Sequence, residues 1–318
     1  MRQKSEAAMN VLLIGQFGED TQARIRAAFP ADWRLEIAAP EEAGPFLAEA
    51  EAVIPEHIPV DEAFLAQAVR LRMVQTGAGY DNVDLAACTR HGVQVCNAAG
   101  VNASAVAEHV MAFLLCHYKN ICLLDRAMHE GDAIPAYSGA ELRGRTLGLI
   151  GLGRIAREVA LRAQAFGMHV LGWSYRPIAV PGVEQVTLEA LCQASDVISL
   201  HVPLKADTCG MIDAAVLEQM KPGALLINTA RGGLIDEAAL IAALRSGHLG
   251  GACLDVFAKE PLALESPLRG MANVILTPHT AGYPDGLKFH AARYAFFVAN
   301  IRAFFTGAAP ACMLNEIL

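Results

Sequence analysis

The 318-residue chain has eight cysteines but no C-x-x-C pair and no Cys/His cluster at zinc-binding spacing, so it offers no metal site. Cys88, Cys96, Cys116, Cys122, Cys192, Cys209, Cys253 and Cys312 sit mostly in apolar stretches such as MAFLLCHY and GACLDVF. That is the setting of buried, reduced thiols in a cytoplasmic protein. The first apolar run, after the basic start MRQK, is interrupted from Gly15 to Asp20, too early for a signal peptide or a membrane span. Basic charge is not in excess: 25 Lys and Arg against 33 Asp and Glu leave a net charge of −8, which argues against a nucleic-acid surface. Repeats and low-complexity segments are absent. What is abundant is apolar material: 54% of residues are hydrophobic and 18% charged, enough at this length for two packed domains.

Short apolar runs alternate with amphipathic helical patterns, the signature of parallel sheets joined by crossover helices. In the first hundred residues the expected strands are 10–15, 34–38, 51–55, 71–76 and 93–98, with helices over 19–29, 61–69 and 84–91. A long helix is expected from Ala103 to Glu130, capped by Asn102 or Ser104 and ended by Gly131. A second α/β run follows, with strands at 146–151, 168–173, 183–186, 196–202, 224–229, 250–256 and 273–278. Its helices fall at 153–166, 187–194, 213–220 and 236–246, and a last helix is expected over 284–306.

Gly151-Leu152-Gly153-Arg154-Ile155-Ala156 follows one of these strands and opens a helix. Gly151 allows a tight turn, and Gly153 lets backbone approach a pyrophosphate, which the helix N-terminus attracts through its N–H groups and dipole. Ala156 at the third position keeps helix–strand packing close. This is the pattern of a dinucleotide-binding turn, and it falls mid-chain. The expected fold class is therefore α/β with two doubly wound parallel-sheet domains. A Rossmann cofactor domain at 104–285 is inserted into a flavodoxin-like substrate domain made of 1–103 and 286–318.

One element of that pattern is missing. An Asp or Glu should end the next strand, 168-MHVLGW-173, and bind the adenosine ribose. Ser174, Tyr175 and Arg176 stand there instead. A hydroxyl and a guanidinium suit the 2′-phosphate of NADP, which an acid would repel. NADP is the expected cofactor, with NAD possible.

Three later stretches, 228-NTARGGLID-236, 252-ACLDVFAKEPL-262 and 276-LTPHTAGY-283, each carry a polar group at an expected strand end. Ligands in open α/β sheets bind beyond the carboxyl ends of strands, so Arg231, Glu260 and His279 are expected in one crevice. The set suits a 2-keto acid. A guanidinium binds its carboxylate and keto oxygen, a histidine moves the proton, and a carboxylate orients the imidazole.

Together with 75-QTGAGYDNVD-84, 96-CNAAGVNASAVAEHVMAFLL-115 and 200-LHVPLKADT-208, these stretches resemble the D-isomer-specific 2-hydroxyacid dehydrogenases over about residues 70 to 305. The resemblance implies that Arg231, Glu260 and His279 are catalytic and that backbone N–H groups of Gly77, Ala78 and Gly79 hold the substrate carboxylate. It implies a cofactor bordered by Val106, Gly151, Leu152, Gly153, Arg154 and Ile155, and by His201, Val202, Pro203 and Thr208. Thr229, Ala230, Arg231 and His279 would border the nicotinamide, and Asp255 its carboxamide. Ser174, Tyr175 and Arg176 are where the chain departs from NAD-using members. His57, after a strand of the first domain, is a further substrate contact. His109, His117 and His129 read as packing or dimer contacts on the long helix, and Glu108 as a structural hydrogen bond.

The expected function is reduction of glyoxylate or hydroxypyruvate by a homodimer using NADPH, with no nucleic acid or membrane partner. A phosphorylated substrate is disfavoured, because residues 54–60 offer only His57 as a basic group. The alternatives are an NAD-linked dehydrogenase for a bulkier D-2-hydroxy acid and a non-catalytic dinucleotide sensor like the family's corepressors. The corepressors usually carry long extra tails, whereas this sequence reads as a short leader and an early end.

Overall fold

The computed structural model describes residues 9–56, 58–131, 139–283 and 290–317. The chain divides into two compact units, Met1–Asn102 with Tyr283–Leu318, and Ala103–Gly282.

The first unit runs β1 (Asn10–Ile14), α1 (Glu19–Ala28), β2 (Arg34–Ala38), α2 (Gly44–Leu47), β3 (Ala52–Ile54), α3 (Glu62–Gln67), β4 (Met73–Gln75), α4 (Leu85–Arg90) and β5 (Gln94–Cys96). Its five strands pair in parallel in the order β2-β1-β3-β4-β5. Helices cover both faces, so the inner strands are buried throughout and read in sequence as short apolar runs. Asp61 and Asp84 start α3 and α4 by accepting the N–H groups of Phe64 and Ala87.

The second unit opens on α5 (Ala103–Tyr118) and α6 (Ile121–Glu130). These replace the single helix expected over 103–130. Asn120 adopts the left-handed conformation, φ 50°, which asparagine tolerates better than most residues, and it ends the first helix. Neither expected cap acts as one. The Asn102 Oδ1 has no hydrogen-bond partner among the described residues, and the Ser104 hydroxyl is taken by Glu108 and Arg162. Gly131 closes α6 at φ 74°. None of the residues of α6 is buried.

Then follow β6 (Thr146–Ile150), α7 (Arg154–Ala165), β7 (His169–Trp173), β8 (Glu184–Gln185), α8 (Leu188–Ala194), β9 (Val197–Leu200), α9 (Ala214–Gln219), β10 (Leu225–Asn228), α10 (Glu237–Arg245), β11 (Gly251–Leu254) and β12 (Val274–Leu276). All pairings are parallel, in the order β12-β11-β10-β9-β6-β7-β8. Strand order reverses between β6 and β9, and it is outside the carboxyl ends at such a reversal that open α/β sheets take ligands. Leu114, Leu147, Val159 and Leu225 pack on one face of this sheet, and Leu200, Leu226 and Leu240 on the other.

The chain returns to the first unit as α11 (Ala291–Phe305), whose Tyr294, Phe297 and Ile301 pack on β1, β3 and β4. The first part of the helix expected over 284–306 lies outside the described residues. All eight cysteines are unpaired, but only Cys88, Cys96, Cys192 and Cys253 are buried; Cys122 and Cys209 are exposed. Cys122 is exposed because α6 has no buried face, and Cys209 because it lies in the loop between β9 and α9. Among the described residues no helix is long and apolar enough to cross a membrane.

Candidate active site

Gly151 leaves β6 with φ +97°, and a Cβ on it would fall 2.6 Å from the carbonyl oxygen of His201. Both facts require glycine. Its N–H donates to the Trp173 carbonyl at 2.8 Å, which ties the turn to the end of β7. Gly153 starts α7 with no side-chain cap, and nothing lies within 4 Å of where its Cβ would stand. Open space beside uncapped first-turn N–H groups fits the pyrophosphate of a dinucleotide. Ala156 is fully buried against the sheet, as its small side chain requires. Leu152, Val202 and Val106 are buried, Ile155 is half-buried, and Arg154 and Pro203 are exposed.

Two residues expected at the adenosine are otherwise engaged. Burial pushes the His201 imidazole down to about 4, so it is neutral at neutral pH and brings no charge to the turn. Thr208 is buried, and its hydroxyl donates to the Pro203 carbonyl and accepts from the Lys205 N–H, both at 2.8 Å.

The loop after β7 is organised by Gln185. Its Nε2 donates to the Ser174 hydroxyl at 3.0 Å and the Arg176 carbonyl at 3.3 Å, and its Oε1 accepts from the Ile178 N–H at 3.1 Å. The Ser174 hydroxyl donates to the Arg176 carbonyl. Tyr175 and Arg176 are exposed, with Tyr175 edge-on to Trp173.

Strands β10, β11 and β12 are parallel neighbours, so the residues following them emerge along one edge of the sheet. After β10, the buried Asn228 accepts the Ala230 N–H and donates to the Arg231 carbonyl, turning the chain at Arg231. A Cβ on Gly232 would lie 1.9 Å from the Phe257 carbonyl carbon, so only glycine lets this turn press on the segment after β11. That segment supplies Glu260, whose Oε1 accepts the Phe257 N–H at 3.1 Å. The Glu260 Oε2 is 2.7 Å from Nδ1 of His279, the residue that leaves β12 with φ +55°. Thr229, at the end of β10, is buried, with no partner for its hydroxyl among the described residues; Ala230 is half-exposed.

Burial pushes the Glu260 carboxyl up. The hydrogen bond and charge of His279, the Phe257 N–H and the Arg231 charge more than offset this, holding it below the usual glutamate value. A carboxylate kept ionised can only accept, so the His279 proton facing Glu260 sits on Nδ1, and Nε2 is the nitrogen whose proton can be exchanged.

In the first unit, Gly77, Ala78 and Gly79 follow β4. The carbonyls of Gly77 and Ala78 accept from the Ala98 N–H at 2.9 Å and the Asn97 Nδ2 at 2.8 Å. Among the described residues, the three N–H groups of this loop donate to no acceptor, which leaves them for an anion. Arg293 of α11 stands beside the loop, its Nη2 3.3 Å from where a Cβ on Gly77 would be. That guanidinium is paired at 2.6 Å with both carboxylate oxygens of Glu56. His57 lies outside the described residues.

Residues 111–281 match the family model for the D-isomer specific 2-hydroxyacid dehydrogenase NAD binding domain. The glyoxylate reductase of Korarchaeum cryptofilum is 39% identical over 269 residues, 81% of this chain and 80% of that protein. The chain belongs to the D-isomer-specific 2-hydroxyacid dehydrogenases. The D-3-phosphoglycerate dehydrogenase of Archaeoglobus fulgidus is 40% identical over 237 residues, 72% of this chain and 45% of that protein. The chain thus spans less than half the length of that relative. Among solved structures, an acyclic imino acid reductase in complex with NADPH and D-Arg is 31% identical with a TM-score of 0.85, covering 96% of this chain and 100% of that one. The D-lactate dehydrogenase of Aquifex aeolicus complexed with NAD and lactic acid is also 31% identical, with a TM-score of 0.83, covering 94% and 96%.

In this family member each unit makes side-chain contacts that sequence reading missed. Asp255, expected at the nicotinamide carboxamide, is fully buried, and its carboxylate accepts from Thr277, Thr280 and Ala281. What it does in this structure is hold the turn that carries His279. His109, read as packing, bonds Thr277 through Nε2 at 3.0 Å. Arg293 is a basic group beside the 77–79 loop that the count of basic residues in 54–60 left out. Pairs separated by 168 and 237 residues leave no spacing signal to find them.

Proposed function

We propose that this dehydrogenase reduces a small 2-keto acid, glyoxylate or hydroxypyruvate, to the 2-hydroxy acid, with NADPH as preferred hydride donor. The observation that carries the reading is the 2.7 Å His279–Glu260 contact beside Arg231, on three adjacent strand ends. A bound nicotinamide supplies the hydride to C2 of the keto acid. His279 donates the Nε2 proton to the developing alkoxide, so hydride and proton together complete the hydroxy acid. Glu260 keeps Nδ1–H in place and so leaves Nε2 as the nitrogen turned to the substrate. Arg231 binds the carboxylate and keto oxygen and offsets the charge that grows on it. The N–H groups of Gly77, Ala78 and Gly79 are assigned to the substrate carboxylate, and the assembly to a homodimer, by family resemblance.

Cofactor preference rests on residues 174–176. No acid stands there to repel a 2′-phosphate, and the exposed Arg176 is available to bind it. Because solved neighbours of this chain hold NADPH in one case and NAD in another, preference must be measured. The test is kcat/KM for glyoxylate and hydroxypyruvate with NADPH and NADH, in wild type and Arg176→Ala. The expected result is an NADPH preference that falls by about tenfold or more in the variant, the worth of one charge-assisted hydrogen bond. Equal use of both cofactors by the wild type overturns the NADP assignment, and no turnover of either acid overturns the substrate assignment.

A further inference from the structure

The turn carrying His279 is held by a chain of polar groups that runs from the half-buried His109 and Thr277 to the buried Asp255. Asp255 is fully buried. Its Oδ1 accepts from the Thr277 hydroxyl at 2.6 Å and the Thr280 N–H at 2.8 Å, and its Oδ2 from the Ala281 N–H at 2.9 Å. Its backbone carbonyl accepts the His279 N–H at 2.8 Å, and its own N–H donates to the Asn228 carbonyl at 2.9 Å. The same residue therefore reaches the turn after β10 and the turn after β12.

The direction of the chain follows from proton counting. Thr277 has one hydroxyl proton, and at 2.6 Å from a carboxylate that proton points at Asp255. Its oxygen can then only accept from His109, whose Nε2 is 3.0 Å away. His109 is thereby fixed as a donor through Nε2, its ring edge-on to Phe113 with centroids 4.5 Å apart. Burial holds its imidazole below the usual value despite the Asp255 charge, so the ring is neutral at neutral pH. The run from His109 to Thr277 to Asp255 links α5 to the His279 turn.

His279 needs such support. Its φ of +55° lies in the left-handed region, which a non-glycine residue keeps only where its surroundings over-determine it. We propose that His109 and Thr277 are positioning residues for the proton transfer. Acting through Asp255, they hold residues 277–281 so that His279 meets Glu260 at Nδ1 and presents Nε2 to the substrate. The proposal rests on reading His279 as the proton donor.

The experiment compares Thr277→Val, Thr277→Ser, His109→Leu, His109→Gln and the double variant Thr277→Val/His109→Leu, all in the full chain. Valine keeps the shape of threonine without the hydroxyl, serine keeps the hydroxyl, and glutamine keeps an N–H donor. Kinetics use glyoxylate and NADPH. We expect Thr277→Val and His109→Leu each to lose about tenfold in kcat with KM within about twofold, since misplacement of a reacting group costs rate rather than binding. Thr277→Ser and His109→Gln should stay within about threefold of wild type, because the donors remain. The double variant should be no worse than the poorer single one, because the groups act as one unit.

A readout independent of turnover is the NMR signal of the His279 Nδ1 proton, which should shift or broaden in Thr277→Val and keep its wild-type position in Thr277→Ser. Wild-type kcat in Thr277→Val, equal losses in the Ser and Val variants, or losses that multiply in the double variant would each overturn the proposal. If Thr277→Val does not fold, the pair His109→Leu and His109→Gln carries the same test. If the wild type reduces neither keto acid, the functional reading fails on its own, and the ring signal decides the positioning: an unchanged signal in Thr277→Val overturns it.

Discussion

Two loops of the second unit follow strand ends of one sheet and are built in opposite ways. The 277–281 turn is fastened from several sides by one buried carboxylate, with His109 behind Thr277. The 174–178 loop hangs on the single side chain of Gln185, and its Tyr175 is 61% exposed. The difference follows from what each has to do. On the reading proposed above His279 transfers a proton, which requires placement to within about 0.5 Å, and the groups fastening its turn supply that placement. Recognition of a phosphate acts through charge, which tolerates slack and can be retuned by exchanging an exposed residue.

The contrast can be broken at its strong end first. His279→Ala should lower kcat by about 10²- to 10⁴-fold, the usual worth of a general acid, while circular dichroism and gel filtration remain those of the wild type. Residual activity near the wild-type level would remove the reason for the fastened turn. Gln185→Ala should act only on the loose side. Losing the three neutral hydrogen bonds that hold the loop predicts a roughly two- to tenfold drop in the ratio of kcat/KM with NADPH to that with NADH. Turnover at saturating cofactor should be unchanged, and a fall in kcat would show that the two loops are not independent.

The smallest effect belongs to Glu260. Its carboxyl lies below the usual value in the folded chain, so its stabilising contribution is complete above the ordinary glutamate range and is lost as pH falls through the folded-state value. Melting temperatures of wild type and Glu260→Gln should therefore differ most near neutral pH and converge in acid. The side chain is 35% exposed, so solvent screening keeps the gap to a few degrees at most, in the range of about 1 kcal/mol or less. A gap that widens on acidification would contradict the direction assigned to this group.

Sequence reading reached as far as local signals reach. The inner strands of the second unit, covered by helices, are necessarily apolar runs, and all seven strands fall within a residue or two of their expected places, the exposed edge strand β8 included. Arg231, Glu260 and His279 were legible because each stands just past such a run. The break at Asn120 was not, because helix-forming residues flank it and a single left-handed residue leaves no periodic trace. The supports of the site were invisible for another reason. His109 and Thr277, or Glu56 and Arg293, meet only through the tertiary fold, and each alone has an ordinary reading as a packed or solvated residue. Asp255 has a role that its place in the motif does not announce: buried, it accepts from Thr277, Thr280 and Ala281.

The division of the chain has an evolutionary side. The glycine turn, Arg231, Glu260, His279 and the groups that hold them all lie within Ala103–Gly282, one uninterrupted stretch. Two genetic crossovers, at 102/103 and 282/283, would move Arg231, Glu260, His279 and the glycine turn in a single transfer. The 77–79 loop and Arg293 would remain with the recipient. A lineage built this way can replace either unit without altering a single residue of the other.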